Sequence, residues 1–182
     1  MDTMAGQLLI AAPGMIDDYF SDTVVLVFQH SEEGAAGVIL NKPSDVQLAT
    51  VWDDLDPENV HASDLINIGG PCEGPLLALH NSLALAEVPV IPGVALTVSI
   101  ENLRKLVRQN HQSVRLFSGY AGWAPEQLDA EIEQGGWYSI PARPHFVFDD
   151  STDLWQQACA KFGDEIITSV VGPRVPSDPS VN

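Results

Sequence analysis

Cys72 and His80 are the two side chains of this sequence that could form a nucleophilic pair. A thiolate beside an imidazole is the minimum apparatus for nucleophilic catalysis, and Cys72 stands in a glycine-flanked loop eight positions before His80. No third residue is indicated that would orient the histidine, and the negative charge of the adjacent Glu73 disfavours a thiolate. We therefore predict no catalytic residue, and we treat His80 and Asn41 as candidate binding residues.

Signatures of common catalytic and metal sites are missing from the sequence. The five histidines are scattered without an H-E-x-x-H pair, and two cysteines cannot supply a Cys-rich zinc site. The G-x-S-x-G elbow, the Walker loop and the G-x-G-x-x-G motif are also missing. We accordingly predict neither a metal nor a cofactor.

Two glycine-rich loops hold the other candidate binding residues, which are Gly69, Gly70, Pro71, Ser118, Gly119, Tyr120, Gly122 and Trp123. In the second loop a strand ends, glycines permit unusual dihedral angles, and a helix is predicted to open at Pro125. Free amides at such a helix start can hold an anion, although Tyr120 and Trp123 could simply cover a sheet edge. We therefore expect a structural role for the two loops, and we keep a small-molecule pocket between them as the alternative.

A cluster of basic residues is the other candidate surface. Half of the eight basic residues fall within a dozen positions, namely Arg104, Lys105, Arg108 and Arg115. On a chain of net charge −17 they form a local cationic face, which fits an acidic partner or a phosphate-bearing ligand. A solvated helix paired with nearby carboxylates is the simpler interpretation. The overall charge opposes contact with phosphate backbones, so we expect no direct binding of nucleic acid.

Strands in irregular alternation with helices must position these residues. Val24 to Phe28 and Ala35 to Leu40 are apolar runs that predict a hairpin buried on both faces, at the centre of the sheet. Further strands are predicted between residues 65 and 98, at 114–117, at 137–140 and at 146–148. Consecutive strands without intervening helices imply antiparallel pairing.

Apolar spacing and capping residues predict four helices. The first follows Pro43-Ser44 and buries Leu48, Val51, Trp52 and Leu55. The second is capped by Ser99 and buries Ile100, Leu103 and Val107. The third runs from Pro125 to Gln134, and the last runs from about Asp150 to Phe162, with Gly163 just beyond its end.

Composition fits one globular domain in the cytoplasm. A chain of 182 residues, 45% of them hydrophobic, is long enough to bury a core without disulfides, and its two cysteines suit a reducing compartment. No apolar run approaches the roughly 20 residues of a membrane helix, and no secretion leader is recognisable. We predict a domain over residues 1–165 and a proline-rich, poorly ordered tail over 166–182.

Four separated segments carry a family resemblance. They are Gly6 to Met15, Glu33 to Pro43, Gly69-Gly70-Pro71 and Ser118 to Leu128, and in this order they resemble the bacterial AlgH/YqgE family. The resemblance covers the chain from about Gly6 to Phe162. It implies a single α+β domain with a mixed, largely antiparallel sheet that is curled into a partial barrel and flanked by about four helices. It carries over no agreed catalytic residues, and Cys72 stands where the family usually has an apolar residue.

Three functions follow as hypotheses. The first is a soluble binding or regulatory module that acts through an unidentified protein partner and affects transcription indirectly. The second is a hydrolase or transferase with a pocket between the two glycine loops, which requires His80, Asn41 and Cys72 to converge on the second loop. The third is a DNA-binding regulator, suggested only by the family's association with gene regulation.

Overall fold

The structure is a computed structural model that describes residues 3–52, 64–109, 113–149, 151 and 153–171, with side chains to residue 164. Its strands, in chain order, are β1 (Gln7–Ala11), β2 (Val24–Ser31), β3 (Gly34–Ile39), β4 (Pro43–Gln47), β5 (Leu65–Ile68), β6 (Leu77–His80), β7 (Val88–Ile91), β8 (Val94–Thr97), β9 (Val114–Ser118), β10 (Ala121–Trp123) and β11 (Trp137–Pro141). Its helices are α1 (Leu48–Val51), α2 (Ile100–Leu106), α3 (Gln127–Glu133), α4 (Pro144–Val147) and α5 (Leu154–Val171), with a 3-10 turn at Leu83–Leu85.

The described strands form two sheets. A five-stranded antiparallel sheet has the order β10-β3-β2-β1-β11, and a six-stranded sheet has the order β4-β5-β9-β6-β8-β7. The second sheet is mixed, since β5 pairs with β9 in parallel while its other pairs are antiparallel. This confirms an α+β fold with largely antiparallel pairing, and places the predicted hairpin β2–β3 in the interior of its sheet.

The predicted single curled sheet is therefore two sheets, and backbone hydrogen bonds join them beside the end of β3. Where β3 leads into β4, the amide of Ile39 donates to the Gly69 oxygen, and the amide of Ile68 donates to the Lys42 oxygen, both at 2.8 Å. The curl is partial, because within the described residues the two sheets do not close into a barrel.

Alternation along the strands explains why both sheets are buried on both faces. On β1, Leu8 and Ile10 enter a core between the sheets, whereas Leu9 and Ala11 enter a second cluster on the outer side. The inter-sheet core also takes Phe117 from β9 and side chains from α4 and α5. The outer face of the six-stranded sheet is covered by α1, α2 and the 3-10 turn.

Three helix predictions need correction. The predicted strand at 146–148 is helix α4, because Pro144 occupies the start of a helical turn and cannot serve in a strand ladder. Helix α3 begins at Gln127 rather than at Pro125. Helix α5 passes through Gly163 to Val171, since an interior glycine costs a helix only about 1 kcal/mol and the next proline is Pro173.

The first predicted helix is shorter than expected and buries fewer residues, and the second buries a different set of residues. Helix α1 ends after one turn, which leaves Val51 exposed while Leu48 and Trp52 are buried. On α2 the buried residues are Leu103 and Leu106, followed by Val107, and Ile100 is exposed. The predicted core residue Leu55 lies outside the described residues. Of the tail predicted over 166–182, residues 166–171 belong to helix α5, and the remainder lies outside the described residues. No described helix has the length and apolar character that crossing a bilayer requires.

Candidate functional site

The two glycine loops lie directly against each other. The amide of Gly69 donates to the Ser118 oxygen at 2.8 Å, and Cys72 and Tyr120 exchange two backbone hydrogen bonds of 3.0 and 3.1 Å. A Cβ atom on Gly70 would lie 2.0 Å from the carbonyl carbon of Tyr120. The glycines are thus required for close backbone approach, and the predicted pocket between the loops is replaced by main-chain contact.

Asn41 serves the backbone of a neighbouring turn. Its Oδ1 accepts from the amide of Val24, and its Nδ2 donates to the oxygen of Asp22, both at 2.8 Å. Asp22 has a φ of 56°, a conformation that needs local hydrogen bonds to hold it. Asn41 therefore stabilises the entry to β2.

His80 is fully buried, and both of its ring nitrogens take part in hydrogen bonds. Its Nδ1 accepts from the Ser82 amide at 3.2 Å, so that Nε2 carries the proton and lies 2.9 Å from Oγ1 of Thr97. The Thr97 hydroxyl donates onward to the Leu85 oxygen at 2.5 Å. Burial lowers the pKa of His80 below its ordinary value, although the charge of Glu87 acts to raise it. The imidazole is a neutral structural group.

His80, Asn41 and Cys72 do not converge on the second loop. In the pairing of β6 with β9, Leu77 lies opposite Phe117 while His80 lies opposite Val114. His80 is therefore three residues, or about 10 Å, farther from the Ser118 end of β9 than Leu77 is. Asn41 is engaged at β2. Cys72 alone of the three reaches the second loop, through its main chain and through Sγ, which would lie 3.4 Å from a Cβ atom on Gly122.

The aromatic residues of the second loop cover the five-stranded sheet. Buried Trp123 donates from Nε1 to Glu131 at 3.0 Å, and Trp137 donates to the same carboxylate oxygen at 2.8 Å. The two indoles meet edge-to-face, with centroids 6.2 Å apart. The ring of Tyr120 fills space beside Gly122. Glu131 is a residue whose role the sequence analysis missed, because only the fold brings both indoles to it.

Arg115 is separate from the predicted cationic face. It lies on β9 rather than on α2 and is buried, since its position shares the inward face of the strand with Phe117. Its guanidinium donates to the main-chain oxygens of Leu40, Val147 and Asp149 and to Oδ1 of Asn67, over 2.6 to 3.2 Å. The cationic face therefore consists of Arg104, Lys105 and Arg108.

A cleft of about 550 Å³ opens beside Arg115, between β3 and β4, β5 and the start of α5. Its polar side chains already serve the fold. Asn67 accepts from Arg115 and donates to the Leu116 oxygen, while Asp149 accepts from the Ser151 amide. No group of three His, Cys, Asp or Glu side chains is placed to hold a metal ion in the described part of the chain.

A second concavity, of about 590 Å³, is apolar and open to solvent. We call it the apolar groove, and its apolar walls come from β4, β5, α1, α2 and the segment before β6, namely Val46, Val51, Trp52, Ile66, Ile68, Leu76 and Ile100. Val46 is 42% exposed, and Val51 and Ile100 are each 55% exposed. The analysis of the sequence placed Val51 and Ile100 in the core, because their helical spacing is that of a buried stripe.

One cation, Arg104, borders the apolar groove on the side of α2, and two more follow it along the chain. Cζ of Arg104 lies 6.0 Å from the centre of the Trp52 ring, which itself lines the groove. Lys105 and Arg108 follow on the same segment, and all three side chains are exposed. We call Arg104, Lys105 and Arg108 the cationic rim.

Comparison with known proteins agrees with the fold. A family model described as AlgH-like matches residues 8–167. UPF0301 proteins are similar along most of their length, with 36% identity over 87% of this chain and 84% of the Methylocella silvestris protein. The Streptomyces avermitilis protein is 31% identical over 100% of this chain and 97% of its own length.

Two solved structures share the architecture. The solution structure of the AlgH protein from Pseudomonas aeruginosa superposes with a TM-score of 0.74 and 27% identity, covering 96% of each chain. The crystal structure of a protein from Corynebacterium diphtheriae superposes with a TM-score of 0.70 and 27% identity, covering 88% of this chain and 87% of that one.

Proposed function

This chain belongs to the AlgH-like family, and from that premise we propose that it is a binding module that regulates a partner protein by docking one of its segments in the apolar groove. The observation that carries the proposal is the groove itself. Val46, Val51 and Ile100 present about half of their surface to water around a cavity whose floor is Trp52 and Ile66. Contiguous exposed apolar surface of this kind marks interaction sites in soluble proteins.

The groove has the composition of a protein interface. Burying the exposed half of one such side chain against a partner contributes about 1 kcal/mol, and Trp52 adds an aromatic ring to the lining. Ser44, Asn67 and Ser118 supply the polar residues of the lining. A mainly apolar lining with a few polar groups is suited to the docking of a polypeptide segment.

The enzymatic alternative finds less support. A reaction centre needs titratable groups that lie within hydrogen-bonding distance of one another. The hydrogen bonds described for His80, Asn41 and Arg115 instead stabilise the fold. The groove is lined by apolar side chains and by uncharged polar ones. Binding without chemistry is therefore the function that these residues favour.

The same reasoning favours an indirect effect on transcription. Once Arg115 is assigned to the interior, a cationic surface of three residues remains on a chain of net charge −17. Binding to a DNA backbone depends on many contacts between basic side chains and phosphate groups, and three residues can form few of them. We assign the function to the bacterial cytoplasm, in agreement with two cysteines that are both free thiols.

Selection of peptides from a random library on the purified protein tests this proposal. We expect the selected peptides to bind wild-type protein and to bind Val51→Asp and Ile100→Asp about tenfold more weakly, because each variant places a charge in the groove. Leu83→Asp is the matched control, since Leu83 is 87% exposed and lies outside the groove. Peptides that lose affinity for Leu83→Asp alone, or that bind all variants equally, would contradict the proposal, as would turnover of a small substrate without peptide binding.

A further inference from the structure

We infer that the segment bound in the apolar groove is an acidic amphipathic one, whose apolar side chains enter the groove while its carboxylates meet the cationic rim. The inference rests on the proposed function and adds the chemistry of the partner. It depends on the position of the cations relative to the groove, on the charge of the remaining chain, and on the groove's opposite wall.

Helix α2 contributes residues both to the apolar wall of the groove and to the cationic rim. Ile100 lines the groove, and Arg104 lies four residues later, which is one turn along the same side of the helix. Leu103 and Leu106 are buried beneath them and fix the rotation of the helix. A segment that places an apolar side chain against Ile100 therefore has its next turn beside the rim.

Contact between Arg104 and Trp52 joins the rim to the groove floor. The guanidinium carbon lies 6.0 Å from the centre of the indole ring, within the range of a cation–π contact. Such a contact holds the positive charge at the groove margin. A carboxylate on the bound segment would then meet a charge that is already oriented.

The opposite wall of the groove carries no basic side chain among the described residues that line it. There β4 contributes Ser44 and Val46, and the exposed residue between them is Asp45. The groove is thus cationic along one margin only. This asymmetry fixes the direction of a bound segment as well as its charge.

The composition of the chain makes the rim distinctive. Acidic residues number 25 against 8 basic ones, and three of those 8 form the rim. An acidic partner is repelled by most of this surface, so that the rim, where three cations lie close together in the sequence, steers its encounter towards the groove. Nucleic acid would meet the same repulsion without having apolar side chains for the groove, so a peptide is the better fit.

Two short synthetic peptides test this inference by fluorescence anisotropy. Both place Leu side chains along one face of a helix, and they differ only in carrying Glu or Gln on the other face. We expect the Glu peptide to bind wild-type protein about tenfold more tightly than the Gln peptide, with a preference that shrinks as salt increases. The double variant Lys105→Gln/Arg108→Gln is expected to remove most of this preference.

The controls separate the two proposals. Arg104 is left in place because it packs on Trp52, and Arg143→Gln removes an exposed cation outside the groove and should leave the preference unchanged. Equal binding of the two peptides, with both dependent on Val51 and Ile100, overturns the acidic chemistry and leaves the groove as the docking site. Binding that ignores Val51→Asp overturns the docking function itself. Failure of the Glu peptide to bind, or tighter binding of a single-stranded oligonucleotide through Lys105 and Arg108, also overturns the inference.

Discussion

Nη2 of Arg115 donates to the main-chain oxygen of Leu40 at 2.6 Å, across the space between the two sheets. Arg115 belongs to β9 of the six-stranded sheet, and Leu40 follows β3 of the five-stranded one. The same guanidinium reaches the oxygens of Val147 and Asp149 at the end of α4. One buried cation thus ties three segments together at their common edge.

Arg115→Met is expected to lower the free energy of unfolding by about 3 kcal/mol, because two buried and two partly buried acceptors lose their donor. Arg115→Lys keeps the charge but not the planar fork, and should recover only part of the loss. Urea unfolding measures both. Arg143→Met, at an exposed position, serves as control with an expected change below about 0.5 kcal/mol. Equal stability of the two Met variants would mean that Arg115 holds nothing together.

The location of Arg115 also indicates which part of the candidate cationic surface could be predicted from the sequence. In the structure Arg104 and Lys105 lie on α2, which Ser99 caps, and Arg108 follows the end of this helix; all three side chains are exposed. Arg115 lies only seven positions after Arg108 but on a strand, and its direction depends on which face of β9 meets the other sheet. That information is tertiary and is not encoded in charge spacing.

The glycine loops and the apolar groove are two further features that depend on tertiary structure and not on local sequence patterns alone. The motifs Gly69-Gly70-Pro71 and Ser118 to Trp123 are recognisable in sequence, yet their mutual contact follows only from the parallel pairing of β5 with β9. Conversely, Val51 and Ile100 have the spacing of core residues. Both are nevertheless exposed: Val51 is the last residue of α1, which ends after one turn, and Ile100 is the first residue of α2. An apolar pattern does not specify where a helix begins or ends.

His80 is expected to make the protein less stable in mild acid. Burial lowers its pKa below the ordinary value of 6.5, so that below this pH the unfolded chain binds a proton that the folded chain resists. The contribution of His80 to the free energy of unfolding should therefore be fully present above about pH 6.5. It should be lost as the pH decreases from there to the folded-state pKa.

Urea unfolding at several pH values between about 7.5 and 5 measures the effect of His80. The variant His80→Gln should flatten this part of the profile, because glutamine has no proton to bind in this range. His145→Gln, at an exposed position of α4, is the control that removes a histidine outside this buried hydrogen-bond chain. A profile with the same slope in His80→Gln and wild type would show that another group is responsible.

Glu87 is expected to hold the start of α2, and with it the wall of the apolar groove. Burial alone would raise its pKa, but hydrogen bonds from Ser99, the Val98 amide and Asn102 outweigh this and hold the pKa at about 2. Because the folded-state pKa is depressed, the stabilisation is present above the ordinary value of 4.5 and is lost as the pH falls towards 2.

Glu87→Gln should cost about 1 kcal/mol near neutral pH, as loss of a helix cap does. It should also increase amide hydrogen exchange in α2. Glu101→Gln, in the first turn of the same helix, changes the same charge without these hydrogen bonds. Faster exchange in α2 of Glu101→Gln than of Glu87→Gln would argue against the cap.

Gly70→Ala is expected to destabilise the fold by about 3 kcal/mol, because its Cβ would overlap the backbone of Tyr120. Gly163→Ala provides the opposite control. Its Cβ would meet nothing within 4 Å, and it lies within α5, so that alanine should stabilise by up to about 1 kcal/mol. Thermal unfolding of both variants checks the contrast. Tolerance of alanine at Gly70 would mean that the two loops can separate.

Mapping of amide chemical shifts during titration of isotope-labelled protein with the Glu peptide tests the central claim most directly. The account predicts saturable shifts at Val46, Val51 and Ile100 and along the cationic rim, with little change at the exposed Leu83. Shifts centred on Leu83, or an unperturbed spectrum at saturating peptide, would contradict it.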